Sequence, residues 1–529
     1  MDGKKEVFSK FDLATGFDRL ALEAALDDIA IDELSQAAES GDMDSQYLLG
    51  KIYSEGDIIK QNYSEAVKWY QKAAQQEHTA AQNNLGLLYY EGKGVKQDYA
   101  NAAFWYQKAA DKGDFHAQFN LGLMYRVGEG VKQDYKKSFD LVKKSAEQGY
   151  VRAQNELGAM YGDGQGAEQN YVEAAKWYRK ASEQGYAPAQ YGLGAVYYNG
   201  GYGLRQDYSE SFKHFHKAAE QGYDLAQYKV GEMYSEGIFV KQDYAKALMW
   251  YQKAAEQGNA MAQYASASLY AGDEKGIEHN QEKALSLYQR AAEQEYIPAC
   301  GMLGGLYFNG EGVQQDYAQA FKWWTKAAAM GDPLSQYGLG LMFAKGQGIE
   351  QDYDQAFKLW AMSAEQGIAA SQHNLGLMYF EALGIKQDYS QAMEYFQKAA
   401  EQNYALSQYY LGLMHYNGCA VKKNYSKAFE FFQKAAEQGF DEAQYRLALM
   451  YSKGYGIEQD YKEALKWFMI ASIQSNAGAQ CGLGLAYLNG QGIEQDYQKA
   501  AEWFQRASEQ NNAEAQYGLG LMYLKGQGI

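Results

Sequence analysis

The sequence predicts an all-α solenoid, and three observations carry the prediction. A glutamine returns at Gln46, Gln82, Gln118, Gln154, Gln190, Gln227, Gln263, Gln336, Gln372, Gln408, Gln444, Gln480 and Gln516, with Cys300 in the single vacancy. The period is 36 residues, stretched to 37 by loop insertions near Gly201 and Asp273. Each period holds two amphipathic stretches separated by a glycine loop, and two further columns keep their chemistry throughout: a small residue four places after the glutamine, and Asp or Asn at the start of the second stretch. Units of this length and make-up bury their apolar faces only against neighbouring units.

The stretch from Ala81 to Gly113, AQNNLGLLYYEGKGVKQDYANAAFWYQKAADKG, shows why each element forms. Gln82, Leu85, Gly86 and Tyr89 fall on one face of a first helix, and Ala102, Trp105, Tyr106, Ala109 and Ala110 on one face of a second. Gly92-Lys93-Gly94 supplies the turn between them. Asp98 stands at the N-cap of the second helix, and the 13 residues of that column, from Asn62 to Asp496, are all Asp or Asn. The column four after the glutamine is glycine in 12 of 14 repeats, with Ala267 and Ala448 in the others. Glycine inside a helix costs about 1 kcal/mol against alanine, so its return marks close helix–helix approach. Second helices commonly end on Gly149, Gly258, Gly367, Asn403, Gly439 or Asn511, residues suited to a left-handed terminus. Pro188, Pro298 and Pro333 lie in the first turn of a first helix, where a missing N–H is harmless.

Along the chain, residues 1–18 are a polar segment to which no structure is assigned. Residues 19–41 read as an N-terminal capping helix or half repeat: Ala30, Leu34, Ala37, Ala38 and Gly41 match second-helix columns, and Glu33 replaces the usual aromatic. Residues 42–529 form the array, thirteen complete repeats and a truncated fourteenth. The repeat from Gln263 is the weakest, with Ser266 for leucine, Gln281 for tyrosine, Leu287 for tryptophan and a longer loop.

The pattern A-Q-x-x-L-G-x-x-Y-x-x-G-x-G-[VI]-x-Q-D-Y-x-x-A-x-x-W-Y-x-K-A-A-E-Q-G resembles the Sel1-like repeat, a relative of the tetratricopeptide repeat, over roughly residues 45–529. The resemblance implies a right-handed α-solenoid superhelix. It also implies a non-catalytic protein–protein interaction scaffold or adaptor, often in bacteria that meet eukaryotic hosts.

Composition narrows the function classes. The net charge is −17, from 66 acidic and 49 basic residues, and no Lys/Arg run makes a basic face, which speaks against nucleic acid. No apolar stretch is long enough to insert into a membrane, and no Sec-type signal stands at residue 1. The expectation is therefore a cytoplasmic protein, or one exported without a Sec signal. Cys300, Cys419 and Cys481 are too few for the bridge-per-repeat pattern of cysteine-rich relatives.

Motifs that resemble chemistry have plainer readings. The G-x-G loops, such as Gly92/Gly94 and Gly490/Gly492, follow helices rather than strands and recur in most repeats, so they are turns. His214 and His216, two apart on a helix, point away from each other and make no metal pair. Asn62 and Asn424 in N-Y-S triplets are caps before they are glycosylation acceptors. No catalytic, cofactor-binding or metal-ligating set is assigned, and an enzyme is only a remote third reading.

The remaining surface is the other face of each first helix. Positions −2, +1, +5 and +8 from the glutamine correspond to those lining the concave groove of tetratricopeptide-like solenoids. At +1 stand Tyr191, Tyr228, Tyr264, Tyr337, Tyr409, Tyr445, Tyr517 and His373; at +8, Phe380 and Tyr416. These ten are the candidate partner contacts, and packing between repeats is the competing reading for them as for the +5 leucines Leu341, Leu377, Leu413 and Leu449. The expected ligand is another protein, a peptide or helix with basic residues to match the acidic chain. The alternative is a glycan or cell-wall fragment stacked on tyrosines.

Overall fold

The computed structural model describes residues 28–56, 59–273 and 276–528. The readings made on residues 1–18 and 19–27 lie outside these. The described residues form 28 helices and no strand; one antiparallel bridge, Gly201–Leu204, sits in an enlarged loop. The described helices are 13 residues long except Ala260–Ala271, which has 12. They fall into two compact units divided between Asn280 and Gln281, each a stack of helix pairs.

In the first unit the pair Thr79–Glu91 and Tyr99–Asp111 is representative. Asp98 accepts from the Asn101 N–H at 2.9 Å, and the cap at Asp134 repeats this with Lys137 at 3.0 Å. Gly92 ends the first helix at φ +71. A β-carbon on Gly94, two residues on, would lie 2.3 Å from the Tyr63 carbonyl carbon, so the loop is pressed onto the start of the preceding second helix. The glutamine column now has a physical cause. Gln118 Nε2–H donates to Ala110 O at 3.3 Å, the end of the preceding repeat's second helix, and Gln118 Oε1 accepts from Gln148 at the end of its own. Gln154 repeats both bonds with Ala146 and Gln184. One side chain thus ties three helices and satisfies a carbonyl that a helix terminus leaves open.

The second unit, from Gln281–Glu293 to Ala513–Lys525, is built alike. Cys300 sits in the glutamine's place with Sγ 3.5 Å from Ala292 O. The glycine column also acquires its cause. A β-carbon on Gly340 would lie 2.4 Å from Trp360 Nε1, one on Gly376 2.6 Å from the Phe396 ring, and one on Gly412 2.6 Å from the Phe432 ring. The second-helix aromatic lies flat on its own repeat's first helix, and glycine is what lets it. The first unit shows the same at Gly194, with a β-carbon 2.6 Å from the Phe215 ring.

The repeat from Gln263 is poorly furnished in the structure too. Its helix Ala260–Ala271 ends on Gly272 in extended conformation rather than on a left-handed glycine, and Ser266 Oγ is buried without a partner. An array held by nearest-neighbour contacts opens first where those contacts are weakest. Amide exchange at Gly272, Asp273 and residues 276–281 is expected to outpace that in the repeat from Gln372. Equal protection at the two places, measured by hydrogen-exchange mass spectrometry, would refute this.

Candidate functional site

Tyr178 and Trp324 are gripped from two sides: by the glycine of their own first helix, Gly158 or Gly304, and by the residue two places after the glutamine of the next repeat, Gly192 or Gly338. β-Carbons on Gly192, Gly338 and Gly482 would lie 2.5 Å from Tyr178, 2.9 Å from Trp324 and 2.5 Å from Phe468. At two of these glycines the missing side chain leaves an open cleft. In the second unit a cleft of about 530 Å³ is floored by Phe468, Gly482 and Cys481, walled by Tyr445, Leu449 and Leu485, and carries Glu514 at its edge. In the first unit one of about 380 Å³ is lined by Tyr178, Tyr191, Gly192 and Tyr223.

The candidate residues have unequal fates. Tyr445 walls the second-unit cleft, its ring 6.2 Å from Phe468, and Tyr191 walls the first-unit cleft, 5.3 Å from Phe215. Tyr228 is half-buried, 5.5 Å from Tyr251, with its hydroxyl 3.3 Å from Glu232 Oε1. Tyr264 and Tyr337 are half-buried, and the Tyr337 carbonyl accepts from the Trp360 indole N–H at 3.2 Å. Two side chains are spent on packing. Tyr409 is 8% exposed between Phe432 and Phe440, and His373 is 3% exposed, with Nδ1 2.9 Å from Ser407 Oγ and its ring near Phe396 and Tyr404. Tyr517 is 68% exposed.

Several of these rings are joined through residues outside the candidate set. Tyr410 lies 5.5 Å from Phe380, 5.6 Å from His373 and 5.7 Å from Tyr409. Tyr416 shares Phe432 with Tyr409 and is 6.3 Å from Tyr455, a member of the second-unit cleft lining. An aromatic path therefore runs within the second unit from Phe380 to the cleft. Arg446 adds a polar element, its Nε 3.4 Å from Glu442 Oε1 and its guanidinium 5.8 Å from the Tyr445 ring centre. Tyr410, Arg446 and Gly482 all occupy the position two after the glutamine, a column whose variability, from asparagine to arginine to glycine, was its only signal in the sequence.

The chemistry of the clefts is that of binding. Burial raises the tyrosine hydroxyls of Tyr191, Tyr409 and Tyr445 above their ordinary range, so they remain neutral donors. Cys481 is 2% exposed and burial pushes its thiol up to about 12, which leaves it protonated rather than nucleophilic. Among the described residues no group of three His, Cys, Asp or Glu side chains could hold a metal ion, and no helix is long and apolar enough to cross a membrane.

Comparison with known proteins agrees with this architecture. The family model for the Sel1 repeat matches fourteen consecutive segments, from 44–78 to 513–529. Among solved structures the chain is similar to c5321, a protective antigen present in uropathogenic Escherichia coli strains and displaying an SLR fold, at 33% identity and TM-score 0.55 over 93% of each chain. It is also similar to a Sel1 repeat protein from Oxalobacter formigenes, at 29% identity and TM-score 0.48 over 59% of this chain and 90% of that one. No curated protein matches the chain in sequence.

Proposed function

This chain belongs to the Sel1 repeat family, whose solenoids generally mediate protein–protein interaction and are generally non-catalytic, and on that premise we propose that its second unit holds a partner polypeptide at the cleft walled by Tyr445, Leu449 and Leu485. The observation that carries the reading is the cleft itself: an aromatic floor opened by Gly482, with room for one large apolar side chain of a bound segment. Half-buried Leu413 and Leu449 extend the apolar surface. Glu442 and Glu514, in a chain of net charge −17, favour a partner with basic residues, which speeds encounter more than it tightens the complex. The likeness to a protective antigen of a uropathogen supports a place for this partner at the contact between a bacterium and its host.

Truncating the tyrosines would confuse binding with packing, because Tyr409 and Tyr445 both lie against second-helix rings. The +5 leucines offer another variant: Lys51 occupies that column in the first repeat, so lysine is compatible with the helix there. In a Leu413→Lys/Leu449→Lys protein, partner capture from bacterial and host lysates is expected to fall by about tenfold or more at a temperature where the variant is still folded, although both leucines also touch the buried core and melting is expected to drop. Undiminished capture, or retention by soluble polysaccharide in place of protein, would overturn the proposal.

A further inference from the structure

The first-unit cleft at Gly192 is made by departures from the repeat. The column eight after the glutamine carries Tyr198, Phe308, Phe380 or Tyr416 in other repeats but Gly162 here, where a β-carbon would meet nothing within 4 Å. Gly192, two after the glutamine of the next repeat, leaves the second gap. The enlarged loop after Gly200 buttresses a wall: the Tyr202 ring lies 5.0 Å from that of Tyr171, and the Tyr171 N–H donates to the Tyr202 carbonyl at 3.2 Å. These irregularities of the sequence meet at one opening.

What they expose is aromatic. Tyr171, Tyr178, Tyr186, Tyr191 and Tyr223 line the cleft, and Tyr191 and Tyr223 meet edge to face at 5.5 Å. Ring faces are electron-rich, and burial raises the hydroxyls of Tyr178, Tyr186 and Tyr191 above their ordinary range, so the rings stay neutral. The carboxylate of the lining is Asp163, which is exposed; among the described residues no Lys or Arg belongs to the lining. Three basic groups act on it from outside: Arg126 on Asp163, Arg152 on Tyr186 and Lys229 on Tyr191. Arg126 is already paired with Glu156, and Lys229 with Glu232 at 2.6 Å.

Other repeats show what such a surface holds. Lys229 and Arg446 stand two after the glutamine, in the column of Gly192. Each places its charge 5.8 Å from the ring centre of the tyrosine before it, Tyr228 or Tyr445. Each also has a carboxylate, Glu232 at 2.6 Å or Glu442 at 3.4 Å. In the repeat from Gln190 the tyrosine is Tyr191 and the carboxylate of the cleft is Asp163, but glycine stands where the cation would be.

We propose that the Gly192 cleft binds a cation brought by a ligand, the guanidinium of an arginine side chain in a bound polypeptide. A guanidinium is weakly hydrated and stacks on rings, whereas an ammonium is strongly hydrated and needs a close acceptor of the kind Glu232 gives Lys229. Here rings make the walls and the carboxylate is exposed, which selects the guanidinium. About 380 Å³ is room enough for one such side chain. This inference rests on residues of the first unit alone and stands or falls apart from the partner reading made for the second.

The test is ligand-observed saturation-transfer NMR on the full chain, with N-acetyl-arginine methylamide as the probe. Its citrulline and lysine equivalents and a trimer of N-acetylglucosamine are the comparisons. The arginine probe is expected to bind about fivefold or more tighter than citrulline, which has nearly its shape without the charge, and tighter than lysine. Gly162→Tyr fills the opening with the residue that Tyr198 places in the same column, so arginine binding is expected to be lost with melting as high as the parent's. Asp163→Asn, at an exposed position, is expected to weaken arginine by about threefold and to leave citrulline unchanged. Arginine binding that survives Gly162→Tyr, citrulline or lysine binding as tightly as arginine, no binding of the probe, or the sugar bound in its place would each overturn the assignment.

Discussion

A Gly340→Ala protein is expected to be less stable than its parent, while Gly520→Ala, the same substitution in the same column, is expected to be as stable or more so. The two sites differ in burial and in what a β-carbon would meet. At Gly340 a β-carbon would lie 2.4 Å from Nε1 and 2.5 Å from Cδ1 of Trp360, an indole that is 5% exposed and pinned by its hydrogen bond to the Tyr337 carbonyl. At Gly520 a β-carbon would meet nothing within 4 Å. Displacing a packed, hydrogen-bonded ring costs about 1–3 kcal/mol, and the better helix propensity of alanine returns at most about 1 kcal/mol. At Gly520 only the propensity gain remains. Ala448 shows that the column accepts alanine where the ring packed beside it is Phe468 rather than an indole. The check is guanidinium unfolding of both variants. A Gly340→Ala midpoint equal to or above that of the parent would mean that the aromatic shifts freely and that the glycine column has another cause.

The fold was legible because its determinants are local and repeated fourteen times. The period, the Asp/Asn caps and the loop glycines each report backbone conformation, and each returns at its place in the structure: Asp98 on Asn101, Gly92 at φ +71, Pro333 in the first turn of its helix. The reason for the opening glutamine was not legible, because it joins residues 8 and 30 positions away whose roles emerge only once helices are stacked. The candidate site was legible in part. The +1 tyrosines were found as a column, but a column cannot say which members face water: Tyr409 is packed between two rings and Tyr517 is exposed. The column two after the glutamine escaped notice because it keeps no residue type. Its glycines make the clefts by what they lack, and absence of a side chain has no periodic signature.

Mild acid is expected to destabilise the second unit through His373. The imidazole is 3% exposed, held between Phe396, Tyr404 and Tyr410 with Ser407 Oγ as its polar neighbour, and burial lowers its pKa to about 4. In the unfolded chain the same group titrates near the ordinary value of 6.5. Between these two values the unfolded state binds a proton that the folded state refuses, so stability is full above about pH 6.5, falls as pH drops toward about 4, and falls no further from this cause below that. The separation corresponds to a loss on the order of 3 kcal/mol. His78, His214 and His415 are lowered by burial as well and act in the same direction. The cap carboxylates act in a lower window: backbone hydrogen bonds hold Asp98, Asp243 and Asp496 below the usual carboxylate value of 3.8, so their contribution is lost only as pH falls below it. Phe119 fills the His373 column in another repeat, which makes His373→Phe a compatible replacement. That variant forfeits the bond to Ser407 and starts somewhat less stable at neutral pH, but it is expected to lose less between about pH 7 and about pH 4.5 than the parent. The measurement is the change in guanidinium midpoint between those two conditions for each protein. Equal changes in both would show that His373 is protonated in the folded chain and that its pocket is wetter than its packing implies.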